Sequence, residues 1–222
     1  MKLVFVLAVA ASLQSGADAA ERKIHRENTE WTDAWFPSTN AKDGLPKVLL
    51  IGDSITRAYF GGVEKGLEGK AHVCRIATSK AIGDPALPQE LALLMSENEF
   101  QVVHLNIGMH GWDYTEEEYK EYLPEVVEAV RKAAPKAKLV WGMTTPVRKD
   151  REKGAANDRI IRRNAIAKEY FSSQGIPVDD LHGLMVPHTD LHSDDIHFNP
   201  EGSALLAKHV VDSIVPLLPI KP

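Results

Sequence analysis

Lys47-Val-Leu-Leu-Ile-Gly52 is a short apolar run that ends in glycine. A run of this kind, without alternating polar residues, is typical of a strand that is buried on both faces of a parallel sheet. Four more strand candidates follow it along the chain, each separated from the last by a longer segment. They are residues 72–77, 101–108, 138–144 and 176–181. We therefore expect a sheet of five parallel strands.

Helical patterns lie between these strands. Residues 115–134 open with Thr115 and carry Glu118 three residues later, which is the pattern of a capping box. Residues 157–174 and 200–217 also have apolar side chains at helical spacing. Helices that connect buried parallel strands form right-handed crossovers and cover both faces of the sheet. The expected fold is therefore a three-layer α/β/α arrangement.

The first residues read as a targeting signal. Residues 3–13 form an apolar run of the length of a secretory h-region, and Ala17-Asp18-Ala19 has the small-x-small pattern of a cleavage site. The run is too short to span a hydrocarbon core of roughly 30 Å. We expect a signal peptide at residues 1–19, an irregular N-terminal extension at residues 20–46 and one α/β domain at residues 47–222. The mature protein would be secreted or periplasmic.

Composition limits the function. The chain has 222 residues, enough for one α/β domain with a full core. Its formal net charge of −5 favours neither nucleic acid nor an anionic membrane as a partner. Cys74 is the only cysteine, so no internal disulfide can form, and its place in an alternating run predicts a small buried hydrophobe. The oligomeric state does not follow from the sequence.

Residues with catalytic potential lie where the predicted strands end. Sheets of this kind bind ligands beyond the carboxyl ends of their strands. Ser54 directly follows the first strand, while Asp194 and His197 directly precede the last helix. A serine hydroxyl becomes a nucleophile when a base takes its proton, and a carboxylate orients that base. Either pattern alone is common in turns, but together they predict a Ser54, Asp194 and His197 triad.

These motifs resemble those of the SGNH, or GDSL-type, hydrolase family. Residues 48–55, VLLIGDSI, are similar to the first block of the family, and residues 194–202, DDIHFNPEG, are similar to its last block. The resemblance extends from Val48 to about Leu217. It implies a flavodoxin-like fold, esterase chemistry without a metal or other cofactor, and an oxyanion donor in the backbone amide of Ser54.

Two blocks depart from the family pattern and concern the rest of the oxyanion hole. The loop at residues 77–83 has no glycine at the expected place, so the amide of Ser79 or Lys80 becomes the candidate donor. The third block is usually Gly-x-Asn-Asp but reads Gly-Met-His-Gly here. His110 therefore stands where the family has its asparagine and is a candidate donor through a ring nitrogen. Asn106 is near in sequence but lies within the predicted strand.

Four side chains near these turns are candidates for substrate binding: Asp53, Asn106, Trp112 and Arg148. Trp112 follows His110 and offers an aromatic face on which a sugar can stack, although an ordinary loop anchor is an equal alternative. Arg148 follows the fourth strand at the same edge of the sheet, where an exposed structural arginine is the alternative.

Two clusters of polar residues have simpler interpretations. A histidine-rich stretch suggests a metal site, but its spacing matches no zinc signature and loops at an active-site mouth collect polar residues, so no metal is predicted. That stretch contains His182, His188, Asp190, His192, Asp194 and His197. A basic run at helical spacing predicts a solvated helix face and not a nucleic-acid patch. It contains Arg159, Arg162, Arg163 and Lys168.

The expected function is an exported esterase that acts on a small-molecule or glycan ester. The chain has no long lid insertion, which favours a small pocket and short acyl groups such as acetyl. Export and the aromatic residues near His110 favour carbohydrate as the acylated partner. The alternatives are a lipase or lysophospholipase with a broad apolar groove, a metal-dependent hydrolase, and a non-catalytic carbohydrate-binding relative.

Overall fold

The computed structural model describes residues 22–37 and 43–219. The predicted signal peptide at residues 1–19 lies outside this range. The strands are β1 Thr32–Trp35, β2 Lys47–Gly52, β3 His72–Thr78, β4 Val102–Asn106, β5 Lys138–Gly142 and β6 Val178–Asp179. The α-helices are α1 Ser54–Gly66, α2 Ala86–Met95, α3 Glu116–Ala133, α4 Asn157–Ser173, α5 Leu181–Met185 and α6 Pro200–Ile214.

The described strands form one sheet in the order β1-β3-β2-β4-β5-β6. Strands β2 to β6 are parallel, as predicted. The prediction of five strands was one short, because β1 in the N-terminal extension pairs antiparallel with β3, from Thr32 opposite Thr78 to Trp35 opposite Arg75. This four-residue strand is half exposed and has no apolar alternation, so its pairing depends on the free edge of β3.

Helices cover both faces of the sheet, which confirms the three-layer α/β/α fold. Successive side chains of a strand point to opposite faces, so the apolar run of β2 supplies both cores. Val48 and Leu50 belong to one core with α1 and α6, while Leu49 and Ile51 belong to the other with α2 and α3. All four side chains are fully buried.

The capping box predicted at the start of α3 is present. The hydroxyl of Thr115 accepts from the Glu118 amide (3.1 Å), and the Glu118 carboxylate accepts from the Thr115 amide (2.7 Å). Helix α1, which was not among the predicted helices, contains Gly62. A Cβ at Gly62 would lie 2.6 Å from the Cβ of Ala207, so this glycine lets α1 and α6 approach closely.

Cys74 is fully buried in β3, in agreement with its predicted role as a small hydrophobe. Burial raises the pKa of its thiol to about 11. Among the described residues, no helix combines the length and the apolar character needed to cross a membrane.

Candidate active site

Ser54 lies at the carboxyl end of the central strand β2 and is the first residue of α1. The preceding Asp53 is the N-cap of this helix, and its carboxylate accepts from the Ile55 amide (2.8 Å). This strand–cap–helix turn leaves the Ser54 amide at a helix N-terminus, where backbone N–H groups favour a negative charge. The Ser54 amide donates to no other residue in the described parts of the chain.

The structure brings Ser54, His197 and Asp194 together although 143 residues separate the first two along the chain. The Ser54 hydroxyl lies 2.8 Å from Nε2 of His197. Nδ1 of the same ring lies 2.8 Å from Oδ2 of Asp194. With a proton on Nδ1 donated to Asp194, Nε2 is free to accept the hydroxyl proton of Ser54. The arrangement has the geometry of a serine, histidine and aspartate triad.

Asp194 is held as a carboxylate by its own turn. Burial acts to raise the pKa of Asp194, but hydrogen bonds from the backbone amides of His197 and Ile196 and from the His197 ring outweigh it and hold the pKa well below its usual range. Oδ1 accepts from both amides at 2.7 Å, which leaves Oδ2 for the ring. One carboxylate thus shapes the turn and orients the histidine.

The turn that carries Asp194 and His197 is itself anchored at the carboxyl edge of the sheet. The Ser193 amide donates to the His197 carbonyl (2.8 Å), which closes the turn. The Arg148 amide, in the loop after β5, donates to the Asp195 carbonyl (2.8 Å). Asn199 then caps α6 by accepting from the Gly202 amide (2.9 Å). These contacts fix the turn beside the loop after β5 and the start of α6.

In the loop after β3, both amides that were predicted as oxyanion donors are bound to other groups of the protein. The Ser79 amide donates to the Trp31 carbonyl (3.0 Å), which continues the pairing of β1 with β3. The Lys80 amide donates to the Thr78 hydroxyl (3.1 Å). Ser79 lines the cleft, but its amide is already bound within the protein. The Ala81 amide, next along the loop, donates to no described residue.

His110 lines the same cleft as Ser54. Its Nδ1 lies 2.6 Å from the Glu27 carboxylate, which comes from the N-terminal segment. Its Nε2 is buried and has no partner among the described residues. The ring of Trp31 packs edge-on against it, with the ring centroids 6.3 Å apart. The imidazole is therefore held on one side and has an unused nitrogen on the other.

The cleft around these residues has a volume of about 1010 Å³ and is open to solvent. The N-terminal segment forms one of its walls. Its lining combines polar or charged side chains with apolar ones. The polar part includes Arg26, Glu27, Glu30, Arg57, His110, Asp113, Arg151 and Lys153, and the apolar part includes Trp31, Ala81, Met109, Trp112, Ala155 and Ile196.

Of the four predicted substrate contacts, the structure places Trp112 in the cleft and the other three elsewhere. Asp53 and Asn106 are each 2% exposed, and burial raises the pKa of Asp53. Their positions therefore favour structural roles, Asp53 as the cap of α1 and Asn106 at the end of β4. Arg148 is exposed and pairs with Asp195 (3.4 Å), so it braces the triad turn from outside the cleft.

The basic face predicted on α4 is solvated only in part. Arg163 is 2% exposed, and its guanidinium donates to the carbonyls of Gly111 (2.9 Å) and Tyr114 (2.8 Å). Arg159 donates to the carbonyls of Trp112 (2.6 Å) and Tyr114 (2.7 Å). Helical spacing cannot distinguish these side chains from exposed ones, because their partners lie in a loop about 50 residues earlier. They hold the loop that carries His110 and Trp112.

The histidine-rich stretch does not form a cluster. No three His, Cys, Asp or Glu side chains within residues 22–37 and 43–219 converge closely enough to hold a metal ion. His192 packs against Phe198, and its Nε2 donates to the Pro146 carbonyl (3.2 Å). Burial lowers the pKa of His182, which lies on α5.

Glu27 and Arg57 also line the site, although neither was predicted from the sequence. Arg57 lies on α1 one turn after Ser54, and this short spacing along the chain could have identified it. Its guanidinium lies 4.8 Å from the centre of the Trp31 ring. Glu27 had no such signal, since 83 residues separate it from His110.

Comparison with known proteins gives a family for the chain. A family model described as the GDSL-like Lipase/Acylhydrolase family matches residues 50–205. Among curated proteins, none matches the sequence.

Several solved structures share the fold. A lipase/acylhydrolase from Enterococcus faecalis is 20% identical, over 80% of this chain and 100% of that one, with a TM-score of 0.67. A carbohydrate esterase family 3 structure from Talaromyces cellulolyticus is 16% identical, over 78% and 98% of the two chains, with a TM-score of 0.63. An acetyl xylan esterase is 18% identical, over 76% and 100%, with a TM-score of 0.56. At these identities the likeness establishes the common fold alone.

Proposed function

Because the chain belongs to the GDSL-like lipase/acylhydrolase family and is a serine ester hydrolase, we propose that it is an exported esterase that removes short acyl groups, acetyl above all, from carbohydrate. The observation that carries the catalytic part is the continuous hydrogen-bonded line from Ser54 through His197 to Asp194, with both contacts at 2.8 Å. That line supplies a nucleophile, a base and the carboxylate that orients the base.

The reaction proceeds in two acyl transfers. The Ser54 hydroxyl oxygen attacks the acyl carbon while its proton passes to Nε2 of His197. The oxyanion that forms is stabilised by the Ser54 amide and by the His110 ring, since donors already in place need no reorganisation as the charge develops. His197 returns the proton to the departing alcohol. Water then attacks the acyl-enzyme, with His197 again as the base.

The polar lining of the cleft supports a carbohydrate as the acylated alcohol. A lipid chain needs a broad apolar groove, whereas charged side chains such as Arg26, Glu30 and Arg57 interrupt the apolar lining of this cleft of about 1010 Å³. Trp31 and Trp112 both reach it, and indole faces are suitable surfaces for stacking sugar rings. The carbohydrate esterase from Talaromyces cellulolyticus and the acetyl xylan esterase show that this fold occurs in enzymes named for such substrates.

Export rests on the sequence of residues 1–19, whose apolar run and Ala17-Asp18-Ala19 motif are typical of a cleaved signal peptide. The mature chain would begin at Ala20. Amino-terminal sequencing of the protein recovered from outside the cytoplasm tests this boundary directly.

The catalytic assignment is tested with the chain from residue 20 onward and p-nitrophenyl esters of increasing acyl length. We expect turnover of the acetate, a steep decline by the octanoate, and release of acetate from acetylated xylan. Ser54→Ala should lower kcat by about 10³-fold or more, because the triad acts as a unit. Ser172→Ala, which changes an exposed serine of α4, is the matched control and should behave as wild type.

Each outcome has a distinct meaning. Equal activity of wild type and Ser54→Ala would assign the nucleophile elsewhere. Preference for octanoate over acetate would favour the lipase alternative. A folded wild-type protein that leaves every ester intact but binds acetylated xylan would support a carbohydrate-binding protein without catalysis.

A further inference from the structure

Arg57 is a cation that the fold holds beside the nucleophile. It follows Ser54 by three residues on α1, so both side chains lie on the same face of the helix. Its guanidinium lies over the indole of Trp31, 4.8 Å from the ring centre, in a cation–π contact. Trp31 is itself fixed, because its amide donates to the Ser79 hydroxyl (2.9 Å) and its carbonyl accepts from the Ser79 amide (3.0 Å). The guanidinium therefore has a defined support while it stays exposed to the cleft.

The charge of Arg57 is not neutralised by a neighbour. No carboxylate within residues 22–37 and 43–219 forms an ion pair with it, and its side chain has no hydrogen-bond partner there. Three other charged side chains of the lining do have partners, which satisfy them within the protein. The pairs are Arg26 with Asp84 (2.7 Å), Glu30 with Lys80 (3.7 Å) and Glu27 with His110 (2.6 Å).

Two more cations of the cleft share this property. Arg151 and Lys153, in the loop after β5, line the cleft and are exposed, and neither has an acidic partner in the described part of the chain. Asp150 and Glu152 alternate with them in the sequence, but neither of these carboxylates lines the cleft. The lining has one carboxylate without a described partner, Asp113. Three accessible positive charges thus face one accessible negative charge.

This local excess is opposite in sign to the charge of the whole chain, which is −5. Cations gathered in a cleft raise the local concentration of anionic ligands and speed their arrival. A guanidinium is the side chain best suited to a carboxylate, because its planar fork can donate two parallel hydrogen bonds. The cleft is therefore suited to a substrate that carries carboxylates.

We infer that Arg57 is a specificity-determining residue that binds a carboxylate of an acidic sugar, so that the preferred substrates are acylated polyuronides. Arg151 and Lys153 meet further carboxylates along the same polymer. This inference rests on the proposed esterase function and deepens it by naming the alcohol. A polyuronide presents one carboxylate on each sugar and can engage cations from two elements of the fold, whereas a single carboxylate on the acyl group would leave most of them unused.

The test compares two acetylated polymers that differ in charge, polygalacturonate and neutral xylan, with the chain from residue 20 onward. Selectivity is the ratio of their kcat/KM values, and wild type should favour the acidic polymer about tenfold or more at low salt. Arg57→Gln should reduce this ratio about tenfold, mainly through KM, because a charged hydrogen-bonded contact is lost. Arg57→Lys keeps the charge without the fork and should retain part of the selectivity. Raising the salt from about 50 to about 500 mM should reduce the wild-type ratio.

The control variant is Lys132→Gln, which removes one positive charge from the last turn of α3, outside the lining of the cleft. This side chain is 77% exposed, and the variant should keep the wild-type ratio. Melting temperatures verify that all variants are folded. A second pair of substrates, p-nitrophenyl acetate and p-nitrophenyl hemisuccinate, places the carboxylate on the acyl group, and we expect no preference for the hemisuccinate.

The inference is overturned if wild type deacetylates the two polymers equally well, or if Arg57→Gln keeps the wild-type ratio. A preference for the hemisuccinate that disappears in Arg57→Gln would also overturn it, since the anion would then belong to the acyl group. Failure of the esterase proposal looks different, because wild type and Ser54→Ala would then be alike on every ester. Binding of trigalacturonate, followed by tryptophan fluorescence, tests the subsite without catalysis: Arg57→Gln should raise its Kd about tenfold, and an unchanged Kd would overturn the inference.

Discussion

The buried guanidinium of Arg163 provides a sharp test of how the site is built. We expect Arg163→Met to destabilise the protein by about 3 kcal/mol. The two shorter hydrogen bonds of Arg163, to the carbonyls of Gly111 (2.9 Å) and Tyr114 (2.8 Å), involve a charged donor. Bonds of that type contribute about 1.5–3 kcal/mol each, and their loss leaves buried carbonyls without a partner.

Two effects reduce that sum. Burial lowers the pKa of Arg163, which shows that the interior disfavours its charge, and the variant no longer has to bury a cation. The methionine side chain also recovers apolar contact with the rings of Trp112 and Tyr119, over which the guanidinium now lies at 4.4 and 5.2 Å. The two bonds together would contribute up to about 6 kcal/mol, and these two effects offset about half of that sum, which leaves about 3 kcal/mol.

Urea denaturation followed by tryptophan fluorescence measures the free energy of unfolding, and thermal melting should show a fall of about 6–12 °C for a chain of this size. Arg162→Met is the matched control, since this neighbour is 54% exposed and forms only surface ion pairs with Glu116 and Asp158. It should cost about 0.5 kcal/mol or less. Free energies of unfolding for the two variants within about 0.5 kcal/mol of each other would refute the reasoning that Arg163 holds the loop of His110.

Two further substitutions probe the triad and the core. Asp194→Asn should lower kcat about 10²- to 10⁴-fold with little change in KM, because an amide no longer holds the His197 ring in the tautomer that accepts the serine proton; a kcat within threefold of wild type would contradict this role. Asp179→Ala should cost about 2 kcal/mol in urea denaturation, because this buried carboxylate accepts from His104 and His209 at 2.9 Å and its loss leaves the donor of the fully buried His104 without a partner; an unchanged midpoint would show that the contact between Asp179 and His104 contributes no stability.

The sequence by itself determined the framework of the protein. Runs such as residues 47–52 and the capping box at Thr115 are local patterns whose physical cause, burial on both faces or a satisfied helix end, lies within a few residues. The same holds for the placement of Ser54 after β2 and of Asp194 and His197 before α6, because parallel strands bring such turns to one edge of the sheet. The parallel sheet, its covering helices and the gathering of the three residues followed from this logic.

The tertiary structure alone decided which surfaces those turns face. Strand β1 exists because the edge of β3 is free to pair, and that pairing occupies the Ser79 amide with the Trp31 carbonyl. Glu27 reaches His110, and Arg163 reaches the loop of His110, only when distant segments pack together. Each of these contacts depends on the partner that a side chain meets across the fold, and the spacing of residues along a chain carries no record of that partner.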